Sequence, residues 1–377
     1  MKKRTVLFVS NSSGFYGAEK VLYNCIRYLQ SHFTIHVVVP GTGILAKKLA
    51  EIPGIKIHYI TLLRFTKKPL DMISNAVNFW SFCNNLRKTL KVVKPDVIYC
   101  NSIRNVITAI LARLFKYPVI LHIHECNIKG FMGKLFALLV GFFPQKIIFV
   151  SEFVRKTFAK DYPAVTDKSL IVWNGIEEVD ANNISYEAEA ISKYKLIFPV
   201  LATVAQLEPH KRINDLIPAM ELLKSDYPSA MLLIIGDGPL KETLNKQITD
   251  RKLQNNVSML DYITDVISLL SVVDIFLCPF EDEGLPLVVI EAMTMKKPVV
   301  AAASGGLLEI VEDGKTGFFY PVGDIQALVE KIKALIASDT LRVELGLNGY
   351  MRVKKHFSIE KQMDLVKSVI DGVIADG

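Results

Sequence analysis

The sequence predicts an α/β protein made of two doubly wound parallel sheets, and three observations predict it. Short β-branched runs alternate with helical patterns along the chain, as sheets covered on both faces require. A length of 377 residues leaves room for two hydrophobic cores. Near the middle, "EEVDANNISYEAEAISKY" (177–194) is polar and poor in periodic apolar residues, and it separates two series of strands.

In the first half, strands are read at 5–10, 34–40, 56–60, 96–100, 119–124, 146–151 and 170–173. The second half gives 199–205, 230–236, 257–260, 274–279, 298–303 and 316–320. The expected division is a first domain over 1–178, a linker over 179–194 and a second domain over 195–358. Ligands of open parallel sheets bind beyond the carboxyl ends of the strands. Functional residues are therefore sought in the loops that follow strands.

Composition narrows the class. Half of the residues are hydrophobic and 22% are charged, which fits a globular protein and argues against disorder. The opening "MKKRTVLFVSNSS" has too short an apolar run for a leader and reads as a first strand. The longest apolar stretch, 131–150, is broken by Lys134, Pro144, Gln145 and Lys146, so it does not suit a spanning helix. Cysteines 25, 83, 100, 126 and 278 are odd in number and scattered, and they read as reduced thiols of a cytoplasmic protein. The net charge of +7 conceals a division. Residues 1–180 hold 25 Lys+Arg against 11 Asp+Glu (+14), and the remainder holds 20 against 27 (−7). A first half this basic suggests an anionic partner.

The most informative loop is "EDEGLPLVVIEAM" (281–293), where a strand ends and a helix begins. Gly284 allows close backbone approach, and Pro286 suits the first helical turn. The N-terminus of that helix favours an anionic or hydroxyl-rich ligand. Eight residues of helix turn through about 800°, which places Glu291 roughly 80° around from Glu283, so a long ligand can touch both. The full string, "EGLPLVVIEAM…KKPVVAAASGGLLEIVEDGKTGFFYPVGD", resembles the donor-site signature of glycosyltransferase family 4. "VAQLEPHKRINDLIPAM" (204–220), "IIGDGPLKETL" (234–244), "VWNGIE" (172–177) and "VSEFVRKTF" (150–158) extend the resemblance over nearly the entire chain.

The resemblance implies a GT-B fold: two Rossmann-like domains with an interdomain cleft, and a final helix, about 360–377, packed back on the first domain. It also implies a retaining enzyme that moves a sugar from a nucleotide diphosphate, UDP foremost, to an acceptor hydroxyl. Glu283 would then reach the donor sugar and Glu291 the ribose hydroxyls, flanked by Gly284, Leu285 and Pro286. Lys211 would face the diphosphate, with Gln206 and Arg212 beside it. The sequence departs from the family where Ala205 and Gln206 replace a glycine and an arginine, and Gln206 supplies no charge. Near the N-terminus "SGFYGAEKVL" (13–22) resembles the family's glycine-rich loop, with Gly14, Gly17 and Glu19 on the acceptor side. In "VILHIHE" (119–125), His122 and His124 point to one side of the sheet by the two-residue period. His122 reads as a buried, hydrogen-bonded core histidine, and the resemblance makes His124 the active-site histidine.

A diphosphate is already a good leaving group, so no strong general acid is needed, in contrast to glycoside hydrolysis. Catalysis then rests on charge stabilisation by Lys211 and on positioning by His124 and Glu283. No Asp-x-Asp occurs, so no essential divalent metal and no cofactor beyond the donor are expected. The acceptor is expected to be lipid-linked or a glycan, in polysaccharide or glycolipid synthesis. The basic first half, with apolar and cationic residues interleaved over 62–94 and 131–143, suits contact with an anionic membrane surface. The expected location is therefore the cytoplasm, with peripheral contact to the inner membrane face. No nucleic-acid module is recognisable. A nicotinamide-dependent dehydrogenase would share the sheets, but G-x-G-x-x-G is missing after either domain's first strand. A non-catalytic nucleotide-sugar or glycan-binding protein is the competing class, since Gln206 weakens the phosphate site.

Overall fold

A computed structural model describes residues 3–63, 69–126, 130–178, 198–263 and 265–376, without the side chains of 69–76, 130–134 and 136. The proposed linker, 179–194, lies outside the described residues, as do 64–68 of the basic stretch. The chain divides into two compact units, one of Met1–Asn174 with Glu360–Gly377 and one of Gly175–Ile359.

The first unit contains β1 (Thr5–Ser10), β2 (Thr34–Val39), β3 (Lys56–Tyr59), β4 (Val97–Asn101), β5 (Val119–Ile123), β6 (Lys146–Phe149) and β7 (Ser169–Ile171). They form a parallel sheet in the order β3-β2-β1-β4-β5-β6-β7. All thirteen strands read from the sequence are present, within one or two residues at each end. The reason is visible in burial. The β4 and β5 strands are buried along their whole length, so they read as continuous apolar runs rather than as alternating ones. The order reverses at β1 and β4, and open sheets of this kind take ligands at the carboxyl edge of such a reversal. The register sets Ser10 beside Asn101 and Asn101 beside His122, a polar row across three adjacent strands at that edge. The last helix, Ile359–Ala375, belongs to this unit from Glu360 onward and buries Met363, Val366, Ile370 and Val373.

The second unit contains β8 (Val200–Val204), β9 (Met231–Ile235), β10 (Val257–Leu260), β11 (Ile275–Cys278), β12 (Val299–Ala302) and β13 (Gly317–Tyr320). Their order, β10-β9-β8-β11-β12-β13, repeats the same reversal, here at β8 and β11. The loops after β8 and β11 are those that carry Lys211 and Glu283. At the unit's margin Ile176 pairs with Ser358, and the Ile176 N–H donates to the Phe357 carbonyl at 2.9 Å. A Cβ at Gly175 would lie 2.4 Å from the Ser358 carbonyl oxygen, so only glycine permits this approach.

Candidate active site

In the second unit the β11 strand ends at Cys278, and the chain loops before the helix Leu287–Thr294. The helix starts after Pro286 rather than at it, because Pro286 takes an extended ψ of 110° and serves as the N-cap residue. A second loop, after β12, holds the first in shape. The Asp282 N–H donates to Ser304 Oγ at 3.0 Å, and the Gly306 N–H donates to the Glu283 carbonyl at 2.8 Å. A Cβ at Gly306 would meet the Gly284 carbonyl at 1.8 Å, and Gly305 has φ +60°. Ser304, Gly305 and Gly306 thus fix the backbone of Glu283 and Gly284 by direct contact. Sequence reasoning gave them no role, although the adjacent glycines were a usable signal.

Glu283 is the centre of the group. Its Oε1 lies 2.6 Å from Lys211 Nζ and 3.0 Å from His210 Nε2. Lys211 Nζ also sits 4.4 Å from the Phe280 ring centroid, which presents a π face to the ammonium. Burial pushes the Glu283 carboxyl up, but the Lys211 charge and the hydrogen bonds from His210 and Lys211 outweigh it and hold the group at about 2. His210 was missed by sequence reasoning, and its position directly before Lys211 was the only cue. Its own carbonyl accepts from the Glu281 N–H at 2.9 Å, which links the β8 and β11 loops through the backbone.

Arg212 does not join this group. Its Nε donates to Asp215 Oδ2 at 2.7 Å and its Nη1 to Glu281 Oε2 at 3.3 Å, so two carboxylates already occupy the guanidinium. Gln206 is exposed, and its backbone lies in a loop clamped by "GDG". A Cβ at Gly236 would meet the Ala205 carbonyl at 1.9 Å, and the Leu207 N–H donates to the Asp237 carbonyl at 2.9 Å. Leu285 is buried, and Glu291 is buried on the helix that follows.

The first unit places a second polar group at the carboxyl edge of its own sheet. After β1, Ser12 Oγ accepts from the Gly14 N–H at 3.0 Å. Gly17 opens the helix Gly17–Leu29, and Glu19 Oε2 accepts from the Tyr16 N–H at 3.1 Å. Glu19 is thereby engaged in closing the start of that helix, and burial raises its carboxyl pKa. After β5, Glu125 accepts from the Ser102 hydroxyl and, at 3.3 Å, from the Ile103 N–H. Ser102 holds φ +88°, a backbone state uncommon outside glycine, so the β4 loop is strained where it meets Glu125.

His122 is fully buried, with Nδ1 2.6 Å from the Tyr99 hydroxyl, as expected for a core histidine. His124 is half-buried just past the strand end, its ring centroid 4.2 Å from that of His122. Its Nε2 is 2.9 Å from Asn101 Oδ1. Burial lowers the His124 pKa to about 4, against the opposing pull of Glu125, so the imidazole is neutral at pH 7. Among the described residues no three His, Cys, Asp or Glu side chains come together as metal ligands.

The depressed Glu283 carboxyl has a pH consequence. Folding lowers this pKa, so the stabilisation is fully present above about 4.5 and is lost as pH falls toward 2. Glu283→Gln is expected to cost about 1–3 kcal/mol at pH 7. The gap from the unsubstituted protein should close between pH 4.5 and pH 2. Urea midpoints of both proteins across that range check it, and a gap that does not depend on pH would contradict the ion-pair account.

Residues 15–179 match the family model "Glycosyltransferase Family 4", and residues 189–352 match "Glycosyl transferases group 1". The capsular polysaccharide biosynthesis glycosyltransferase CapM of Staphylococcus aureus is 28% identical over 247 residues, 62% of this chain and 63% of that protein. The sulfoquinovosyl transferase SQD2 of Arabidopsis thaliana is 27% identical over 94% of this chain and 71% of its own length. Among solved structures, Anabaena HepE in complex with UDP and glucose superposes with a TM-score of 0.82 at 21% identity, covering 97% of this chain and 99% of HepE. The two matched models together span both units, and the chain belongs to the family-4 glycosyltransferases of the two-domain GT-B fold.

Proposed function

We propose that the chain transfers a sugar from a nucleotide diphosphate, with UDP the foremost candidate, to an acceptor hydroxyl, with retention of anomeric configuration and without a metal ion. The observation that carries the reading is the Glu283–Lys211–His210 group at the β8 and β11 loops. It places a fixed ammonium beside an ionised carboxylate at the edge where an open sheet takes its ligands. The diphosphate draws on Lys211 and on the N-terminal end of the helix Leu287–Thr294, which has no side-chain cap. Glu283, ionised and acceptor-only, takes hydroxyl hydrogens of the donor sugar, and Glu291 takes those of the ribose. With Arg212 paired to Asp215 and Glu281, Lys211 is the principal cation for the phosphates, and Gln206 adds hydrogen bonds only. Gly14, Gly17 and Glu19 belong to the acceptor side of this reading, and His124 contacts the transferring sugar. That HepE was solved with UDP and glucose supports a UDP-sugar donor. The name of CapM supports a glycan acceptor in polysaccharide synthesis, and that of SQD2 supports transfer of a sugar.

Glu291→Gln removes the charge of the ribose-binding carboxylate and is expected to weaken UDP binding by about 1.5–3 kcal/mol. Calorimetric titration reads this directly, and an unchanged Kd in a folded variant sinks the ribose assignment.

Contact with an anionic membrane surface is part of the proposal. Among the described residues, no helix is long and apolar enough to cross a membrane. The first unit does expose large apolar side chains near its basic stretches, including Val77 and Trp80 at 74% and Phe142 at 72%. Interleaved with Arg87, Lys88 and Lys91, they suit a surface that lies on anionic lipid. The protein is expected to sediment with anionic vesicles at low salt and to be released at high salt. Retention in the supernatant at low salt would favour a soluble acceptor.

A further inference from the structure

We infer that Asn101 is a positioning residue that fixes the tautomer of His124, so that the ring offers its Nδ1 lone pair to a hydroxyl of the bound sugar or acceptor. The Asn101 side chain has one orientation available. Its Nδ2 donates to the Ala18 carbonyl at 3.0 Å, and a carbonyl cannot accept from a second carbonyl, so Oδ1 must be the atom turned toward His124. Across 2.9 Å, Oδ1 can only accept, and His124 Nε2 therefore carries the hydrogen. A neutral imidazole has one N–H, which leaves Nδ1 bare and able only to accept.

Asn101 is itself held rigidly. It is 1% exposed at the end of β4, and its carbonyl accepts from Asn105 Nδ2 at 2.6 Å. Ala18 lies in the first turn of the helix that follows the Gly14 loop, so one amide ties that loop to the His124 ring. The His122 ring, 4.2 Å away, limits rotation from the other side. Protonation of His124 is opposed by burial and favoured by Glu125, beyond which lies Glu19, and the neighbouring His122 is itself held neutral by burial and by His124. A fixed neutral acceptor selects a ligand that presents an O–H at that point. This inference rests on the sugar-transfer reading for its ligand, while its structural content stands on the tautomer alone.

Nitrogen-15 spectra of the histidine rings test it, with the His124 signals assigned by their loss in His124→Phe. The native protein at pH 7 is expected to show protonated Nε2 and unprotonated Nδ1 at His124. Asn101→Leu, which removes the acceptor, should give a tautomer mixture and lower transfer turnover up to about 100-fold, with donor KM little changed. Asn101→Asp, which puts a carboxylate at Nε2, should raise the pH at which His124 titrates. A protonated Nδ1 in the native protein overturns the inference, as does an unaltered tautomer in Asn101→Leu. The native spectrum decides the point even where a variant fails to fold. The expected tautomer in a protein without transferase activity would uphold the Asn101 assignment and count against the proposed reaction instead.

Discussion

The second unit depends on keeping a carboxylate ionised where most of its surroundings are protein. Glu283 is desolvated, which alone would favour its neutral form, and one oxygen meets both Lys211 and His210. That pairing requires the β8 and β11 loops to meet at hydrogen-bond distance. Each surrounding loop contributes to the meeting. The Glu281 N–H bonds the His210 carbonyl, Ser304 and Gly306 hold Asp282 and Glu283, and Gly236 and Gly238 press on the segment before Lys211. Removing one partner of such a pair leaves a buried charge without compensation, which is costly.

The first unit solves a related problem with a neutral group. Its polar row of Ser10, Asn101 and His122 is set by strand register, and His124 and Glu125 extend it past the edge. Glu125 is satisfied by Ser102 and the Ile103 N–H, at the expense of a positive φ at Ser102. The two units thus share one sheet plan yet differ in charge logic, one built around an ion pair and the other around a directed hydrogen bond.

The sheets were legible because β-branched runs bounded by polar turns are local features, and a strand's existence needs nothing from distant sequence. Lys211 and Glu283, which the structure brings together, could be singled out from the loop strings that contain them. His210, Ser304 and Asn101 could not, because their roles come from contacts across 73, 22 and 23 residues. Which residue of β4 stands beside His122 is a matter of register, and alternation along one strand does not reveal it. The engagement of Arg212 by Asp215 and Glu281 was hidden for a related reason. A left-handed Arg212 at φ +50°, packed on Gly323, turns the guanidinium away from Lys211, and no pattern of residue types announces that turn.

The central claim is that Lys211, held ready by Glu283, is the principal cation for the donor diphosphate. Calorimetric titration of UDP into the native protein, Lys211→Met and Lys241→Met tests it most directly. Lys241 is a fair control because its ammonium pairs with Asp261 and Asp237 and not with Glu283. The account predicts a Kd raised roughly 10- to 100-fold in Lys211→Met, as loss of a charged hydrogen-bond partner implies, and little change in Lys241→Met. An unaltered Kd in a folded Lys211→Met protein would contradict it.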